Sequence, residues 1–288
     1  MTWGDRGKRV AKARNVFEDS VQTVVDASPR FFSAPLYSFY EGLLRRELSD
    51  AKRPQHIAVL ADGNRRWARA NAPGKPLEVG YKAGADKLKQ FVGWCRDADI
   101  KVVTLWVLST DNLNRSQDDE LLPLLDVIAD LVDELAADEA NQVAIVGDLT
   151  LLPVNISDRL AAAQQRSAAN GDEGRMRVNV AVAYGGRHEL LTAIQSLLKS
   201  KAADGRTLDE VADELAVEQI AEHLYTKGQP DPDLIIRTSG EQRLSGFLMW
   251  QSAHSEFYFC EALWPDFRLV DFYRALRSYS ERERRFGK

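Results

Sequence analysis

Cysteine is nearly missing: two in 288 residues, Cys95 and Cys260, each inside an apolar pattern. That rules out a disulfide-stapled secreted fold, and the pair reads as core filler of a protein kept in a reducing cytoplasm. No apolar run reaches membrane-spanning length, and no signal-peptide pattern opens the chain. The four histidines, His56, His188, His223 and His254, include no pair at zinc-ligand spacing. No Gly-x-x-x-x-Gly-Lys-Ser/Thr loop occurs, and no Gly-x-Gly-x-x-Gly follows the first strand, which argues against nucleotide-dependent phosphotransfer and dinucleotide chemistry. An excess of positive charge is lacking too. The formal net charge is −5, so the chain is not expected to bind nucleic acid. Internal repeats and low-complexity tracts are absent.

What remains is ordinary soluble composition, 44% apolar and 28% charged. It is organised around His56 to Trp67. Ile57 to Ala61 is an uncharged apolar run, the pattern of a strand buried on both faces. The turn formers Asp62, Gly63 and Asn64 stop it, and Arg65 and Arg66 open a helix. A carboxylate at the carboxyl end of a buried strand, beside a helix N-terminus and two arginines, fits a site where Mg²⁺ on Asp62 and the cations together hold a phosphate. The same pattern also fits a plain N-cap aspartate with surface arginines.

Strand and helix patterns alternate from there on. Strands are expected at 56–62, 101–108, 143–146, 176–183, 234–236 and 256–259, and helices at 65–71, 80–97, 118–138, 157–169, 187–203, 207–225 and 270–285. Pro123 pushes the start of the 118–138 helix later, and Ser157 or Asp158 is the candidate cap of the next helix. Gly80 and Gly84 suggest close packing rather than phosphate binding. The alternation predicts an α/β fold: one domain over 54–288, with a central, mostly parallel six-stranded sheet flanked by helices. Residues 1–53 are expected to form an N-terminal helical extension, aromatic between Phe31 and Leu44. That segment either packs on the body or makes peripheral contact with a membrane surface, packing being the simpler reading. The polar strand ends collect on one edge: Asp62, Ser109 to Asn112, and Arg237 to Arg243.

Four blocks in order carry a resemblance: Asp62 to Trp67, Ser109 to Arg115, Tyr184 to Arg187, and Asp233 to Phe247 with Trp250, Gln251 and Glu256 beyond. Together they resemble the cis-prenyltransferases, the family of undecaprenyl diphosphate synthase, from about His56 to Gly287. The resemblance implies joining isopentenyl diphosphate to an allylic diphosphate, with loss of diphosphate and a new cis double bond. It implies that Asp62 and Glu256 ligate Mg²⁺. Gly63, Asn64, Arg65, Arg66 and the helix N-terminus would hold the allylic diphosphate; Arg237, Arg243 and Ser245 would hold isopentenyl diphosphate; Trp67 and Leu244 are further substrate-binding candidates. Asn112 stands where the family assigns the proton loss. An amide is a poor base, so Asn112 is expected to position a substrate while a diphosphate oxygen or Asp62 takes the proton. Tyr81, Ser109, Thr110, Asp111, Leu113 and Arg115 fall in the family's substrate region, and Lys75 is the nearest match to a loop arginine. Arg285 and Gly287 match an Arg-x-Gly that reaches across a homodimer.

Departures concern the product. The family often has Gly at Arg65, His at Tyr81, Trp at Leu113, His at Gln242 and Asn at Ala183. Arg65, Tyr81 and Leu113 together look like actinobacterial short-chain members. Val107 stands where long-chain members have a small residue, so a farnesyl- or geranylgeranyl-sized product is expected. A decaprenyl or undecaprenyl synthase is the alternative. A non-catalytic subunit fits less well, since Asp62, Arg237, Arg243 and Glu256 are all kept. The Asp-Asp-x-x-Asp pair of trans-type synthases is absent; Asp118 and Asp119 read as an acidic helix start.

Overall fold

The structure is a computed structural model that describes residues 41, 42, 44, 46, 48, 52–116, 120–171 and 173–282. Its centre is a six-stranded sheet, all parallel, made of β1 (His56–Leu60), β2 (Val102–Trp106), β3 (Asn141–Val146), β4 (Met176–Ala181), β5 (Leu234–Arg237) and β6 (Glu256–Phe259). The order across the sheet is β3-β4-β2-β1-β5-β6. Every residue of β1 is buried, as an uncharged run between two helical layers requires. Ile57 and Val59 join one apolar cluster, Ala58 and Leu60 the other.

The helices are α1 (Asn64–Asn71), α2 (Glu78–Asp97), α3 (Leu122–Ala137), α4 (Val154–Ala168), α5 (Gly186–Ala203), α6 (Leu208–Glu214), α7 (Val217–Ala221) and α8 (Leu269–Glu281). Pro123 lies in the first turn of α3, so the helix starts at Leu122 as its ring demands. α4 departs from expectation. Pro153 precedes its first residue, Val154, and neither Ser157 nor Asp158 is the cap; the Ser157 hydroxyl instead donates to the Val154 carbonyl. Proline favours the position where no N–H is needed, and that outweighs the more obvious polar caps.

The described part of the expected extension is helical around Leu44, which is buried with Val270, while Leu48 joins the main core. Cys95 is fully buried and Cys260 half-buried; both are free thiols. Among the described residues no helix is long and apolar enough to cross a membrane.

This topology fixes where a site forms. The chain leaves β1 for β2 on one side and returns to β5 on the other. Such a reversal opens a crevice beyond the carboxyl ends of the strands. The register sets Leu60 beside Trp106 and Arg237, so the residues that follow all three meet on one rim.

Candidate active site

A cavity of about 620 Å³ occupies that rim. One wall is the first turn of α1. Its N-cap is Gly63 at φ 111°, where a methyl group would come within 2.9 Å of the Leu263 side chain. No side chain caps α1 and no acid lies in its first turn, so the positive helix end is left open to an anion. Asp62 is therefore not the N-cap.

The Asp62 carboxylate instead faces two arginines. Arg237 Nη2 donates to its Oδ2 at 3.1 Å, and Arg66 Nη2 lies 3.6 Å from its Oδ1. The Asp62 N–H donates to Thr238 Oγ1 (3.1 Å), and the Thr238 hydroxyl donates to the Asp62 carbonyl (2.8 Å), tying the end of β1 to that of β5.

The opposite wall follows β5. Arg237 is only 5% exposed at its side chain, and its guanidinium already donates to the Arg243 carbonyl, to Ser245 Oγ and to Asp62. Its guanidinium is thus engaged within the protein. A cation at the end of a buried strand must find acceptors within the protein. Positive φ angles at Ser239, Gly240, Ser245 and Gly246 fold the loop back to supply them. The exposed cation of this wall is Arg243, 67% exposed and paired with Glu241 at 2.5 Å.

The third side follows β2. Ser109 caps a short helical turn over Thr110–Asn114 by accepting from the Asn112 N–H. Arg115 Nη2 donates to Asn112 Oδ1 at 2.7 Å, which leaves the amide N–H₂ as the group Asn112 can offer. Glu120 spans from Arg115 to Arg65, 4.0 and 3.3 Å away. Tyr81 is buried beside this group. Its phenol is pushed above its ordinary value chiefly by burial, with Arg115 opposing. The apolar end of the cavity includes Trp106, Val107, Leu108 and Leu124. Trp106 is stacked flat on Phe247, with centroids 5.0 Å apart.

Of the residues expected from the sequence, Asp62, Gly63, Asn64, Arg65, Arg66, Tyr81, Ser109, Asp111, Asn112, Arg115, Arg237, Arg243 and Ser245 line this one cavity. Others do not. Trp67 turns its indole N–H to Asp266 (2.9 Å), and Thr110 fills the space over Gly185. Leu113 packs on the main core, Leu244 on the smaller cluster, and Lys75 is exposed on the 72–77 loop. Glu256 stands apart. It opens β6 in register with Leu234 of β5 and Ile57 of β1, roughly 15 Å short of Asp62 along the strands. Its carboxylate pairs with Arg282 at 2.6 Å. Within one chain the strand register thus keeps the Glu256 backbone well apart from Asp62. Arg285 and Gly287 lie outside the described residues. Arg69 and Glu241 also line the cavity and were not expected. Arg69 could have been found, since it follows Arg65 by one helical turn.

Among the described residues no three metal-ligating side chains cluster. One carboxylate ringed by arginines still suits Mg²⁺, which keeps waters and takes substrate phosphate oxygens as its other ligands; it would not suit a cage made wholly of protein groups.

Comparison with known proteins bears on this geometry. Residues 60–287 match the protein-family model described as "Putative undecaprenyl diphosphate synthase". The chain is 54% identical to the (2Z,6E)-farnesyl diphosphate synthase of Thermobifida fusca, over 88% of this chain and 97% of that one. It is 50% identical to the short-chain Z-isoprenyl diphosphate synthase of Mycobacterium bovis, over 90% and 98%. Among solved structures, lavandulyl diphosphate synthase from Lavandula x intermedia, in complex with dimethylallyl diphosphate, superposes with a TM-score of 0.73 at 35% identity, covering 82% of this chain and 99% of that one.

Proposed function

The chain belongs to the undecaprenyl diphosphate synthase family of cis-prenyltransferases, and from that premise we propose that it condenses isopentenyl diphosphate with a geranyl- or farnesyl-type diphosphate to give a short Z-isoprenyl diphosphate. The observation that carries this reading is a single cavity in which the Asp62 carboxylate lies between two cationic walls. One wall suits a diphosphate that must leave, the other a diphosphate that stays.

The allylic diphosphate lies at the open N-terminus of α1, against Asn64, Arg65, Arg66 and Arg69. Asp62 would hold Mg²⁺ there, and the ion would stabilise the charge that builds on the leaving group. Isopentenyl diphosphate lies against Arg243 and Ser245, with Arg237 fixing the loop that carries them. The carbon–oxygen bond of the allylic diphosphate breaks as the new carbon–carbon bond forms. A proton then leaves isopentenyl diphosphate for a diphosphate oxygen or for Asp62. Asn112 orients a substrate through its N–H₂, because Arg115 occupies its carbonyl oxygen. The growing chain runs toward Val107 and Leu124 and stops there.

The reading includes a catalytic body over 54–288, a packed extension before it, and a homodimer in a reducing cytoplasm. Leu191, Ile194 and Leu198, exposed at helical spacing on α5, support a second copy as the covering partner. Labelled isopentenyl diphosphate, incubated with purified protein and geranyl diphosphate, tests the function. Incorporation that requires Mg²⁺ and stops with chelator is expected; a folded dimer that incorporates nothing with any allylic starter would instead be a non-catalytic subunit.

A further inference from the structure

Two glycines one turn apart on α2 face α1, and the groups they meet differ. A methyl group at Gly80 would lie 2.3 Å from the Asn64 carbonyl oxygen and 2.8 Å from the Ala68 Cβ. Both belong to the body of α1, so relief there requires the helices to part. A methyl group at Gly84 would lie 2.5 Å from Asn64 Oδ1 and 2.8 Å from Cγ and Nδ2, the movable end of a side chain. The backbone at Gly84 has little freedom to retreat. Its carbonyl accepts from the indole N–H of Trp264 at 2.9 Å, and Trp264 is fully buried. Asn64 lines the cavity, yet its Oδ1 is buried with no hydrogen-bond partner. No bond within the protein fixes that end of the amide; packing does, and the space it lies in is the one Gly84 leaves open.

We propose that Gly84 is a positioning residue for the allylic diphosphate. Its missing side chain forms the slot that holds the Asn64 amide, carbonyl oxygen against α2 and N–H₂ toward the cavity, where it donates to a diphosphate oxygen. Gly80 serves helix packing alone. The inference rests on the reading that Asn64 holds the allylic diphosphate.

The test is a double-mutant cycle of G84A and N64A, with G80A alongside. Affinity for geranyl diphosphate is measured by calorimetry, KM and kcat by turnover, and stability by melting. G84A and N64A should each weaken geranyl diphosphate binding roughly 10-fold, the loss of one hydrogen bond to a charged group, with KM for isopentenyl diphosphate unchanged. The double variant should bind no more weakly than N64A, because the amide is already gone. G84A should melt within about 2 °C of the parent, and G80A several degrees lower. Losses that multiply in the double variant, or a G84A that melts as low as G80A, would overturn the role of Gly84 and leave that of Asn64 standing. Unchanged binding in N64A, or no binding of geranyl diphosphate by the parent, would overturn both.

Discussion

Two polar groups sit toward opposite ends of the same sheet and are treated in opposite ways. Toward the amino ends, His56 donates from Nδ1 to the Pro230 carbonyl and accepts at Nε2 from Thr104, and Asn179 donates to both Thr104 and Gln229. A carbonyl can only accept, so Nδ1 carries a proton; with the ring neutral at pH 7, Nε2 is left as the acceptor for the Thr104 hydroxyl. Burial pushes the ring's pKa down to about 4. Toward the carboxyl ends, Asp62, Asn64, Asn112 and Arg243 stand around an open cavity with donors and charge to spare. Polar groups that meet one another in the dry interior specify the fold. Polar groups that face a cavity, held in place by neighbours such as Arg115 and Arg237, are ready for a ligand.

If that division is right, substitutions at the two ends should separate activity from stability. The largest effect falls at the open end. Asp62→Ala should lower turnover roughly 100- to 1,000-fold with only a modest fall in melting, since the carboxylate is 40% exposed and Arg237 keeps the Arg243 carbonyl and Ser245 as acceptors; a Tm that collapses along with the rate would place Asp62 with the structural group. At the closed end, acid should act through His56. Below pH 4 both folded and unfolded chains carry the proton, and above 6.5 neither does. Between those values only the unfolded chain takes it, so stability falls as pH drops through this window, by about 3 kcal/mol. Denaturant titrations of His56→Gln across the window should lack this component, with turnover at neutral pH unchanged.

Arg237→Lys probes the seam between the two behaviours. A lysine cannot reach the Arg243 carbonyl, Ser245 and Asp62 at once, so KM for isopentenyl diphosphate should rise roughly 10-fold. Saturation curves with the allylic substrate held in excess would show it. Val107→Ala should have the smallest effect on rate. It opens the apolar end, and chromatography of the products should show further isoprene units; an unchanged product would shift the stop to Leu124 or Trp106.

The strand before Asp62 and the turn after it could be read directly, because an uncharged run ending in Asp-Gly-Asn has few other conformations. The gathering of Ser109, Asn112 and Arg237 near Asp62 followed from strand–helix alternation alone. What escaped the sequence depends on distant pairing. The resemblance puts Mg²⁺ on both Asp62 and Glu256, and no local pattern shows that the parallel register through β5 sets Glu256 level with Ile57. The enclosure of Arg237 could not be read either, since left-handed residues at Ser239 and Ser245 bring the chain back onto its guanidinium. Trp67 sits within the most telling motif, yet its bond to Asp266, across most of the chain, turns it away. None of these contacts has a local signal in the residues that make them.

The most direct test of the account is the size and geometry of the product made from geranyl diphosphate and isopentenyl diphosphate. A farnesyl- or geranylgeranyl-sized diphosphate with each new double bond cis is the expected result, with Asp62→Ala making almost none. A long polyprenyl product would contradict the stop at Val107 and Leu124. An all-trans product, or equal turnover by Asp62→Ala, would contradict the site itself.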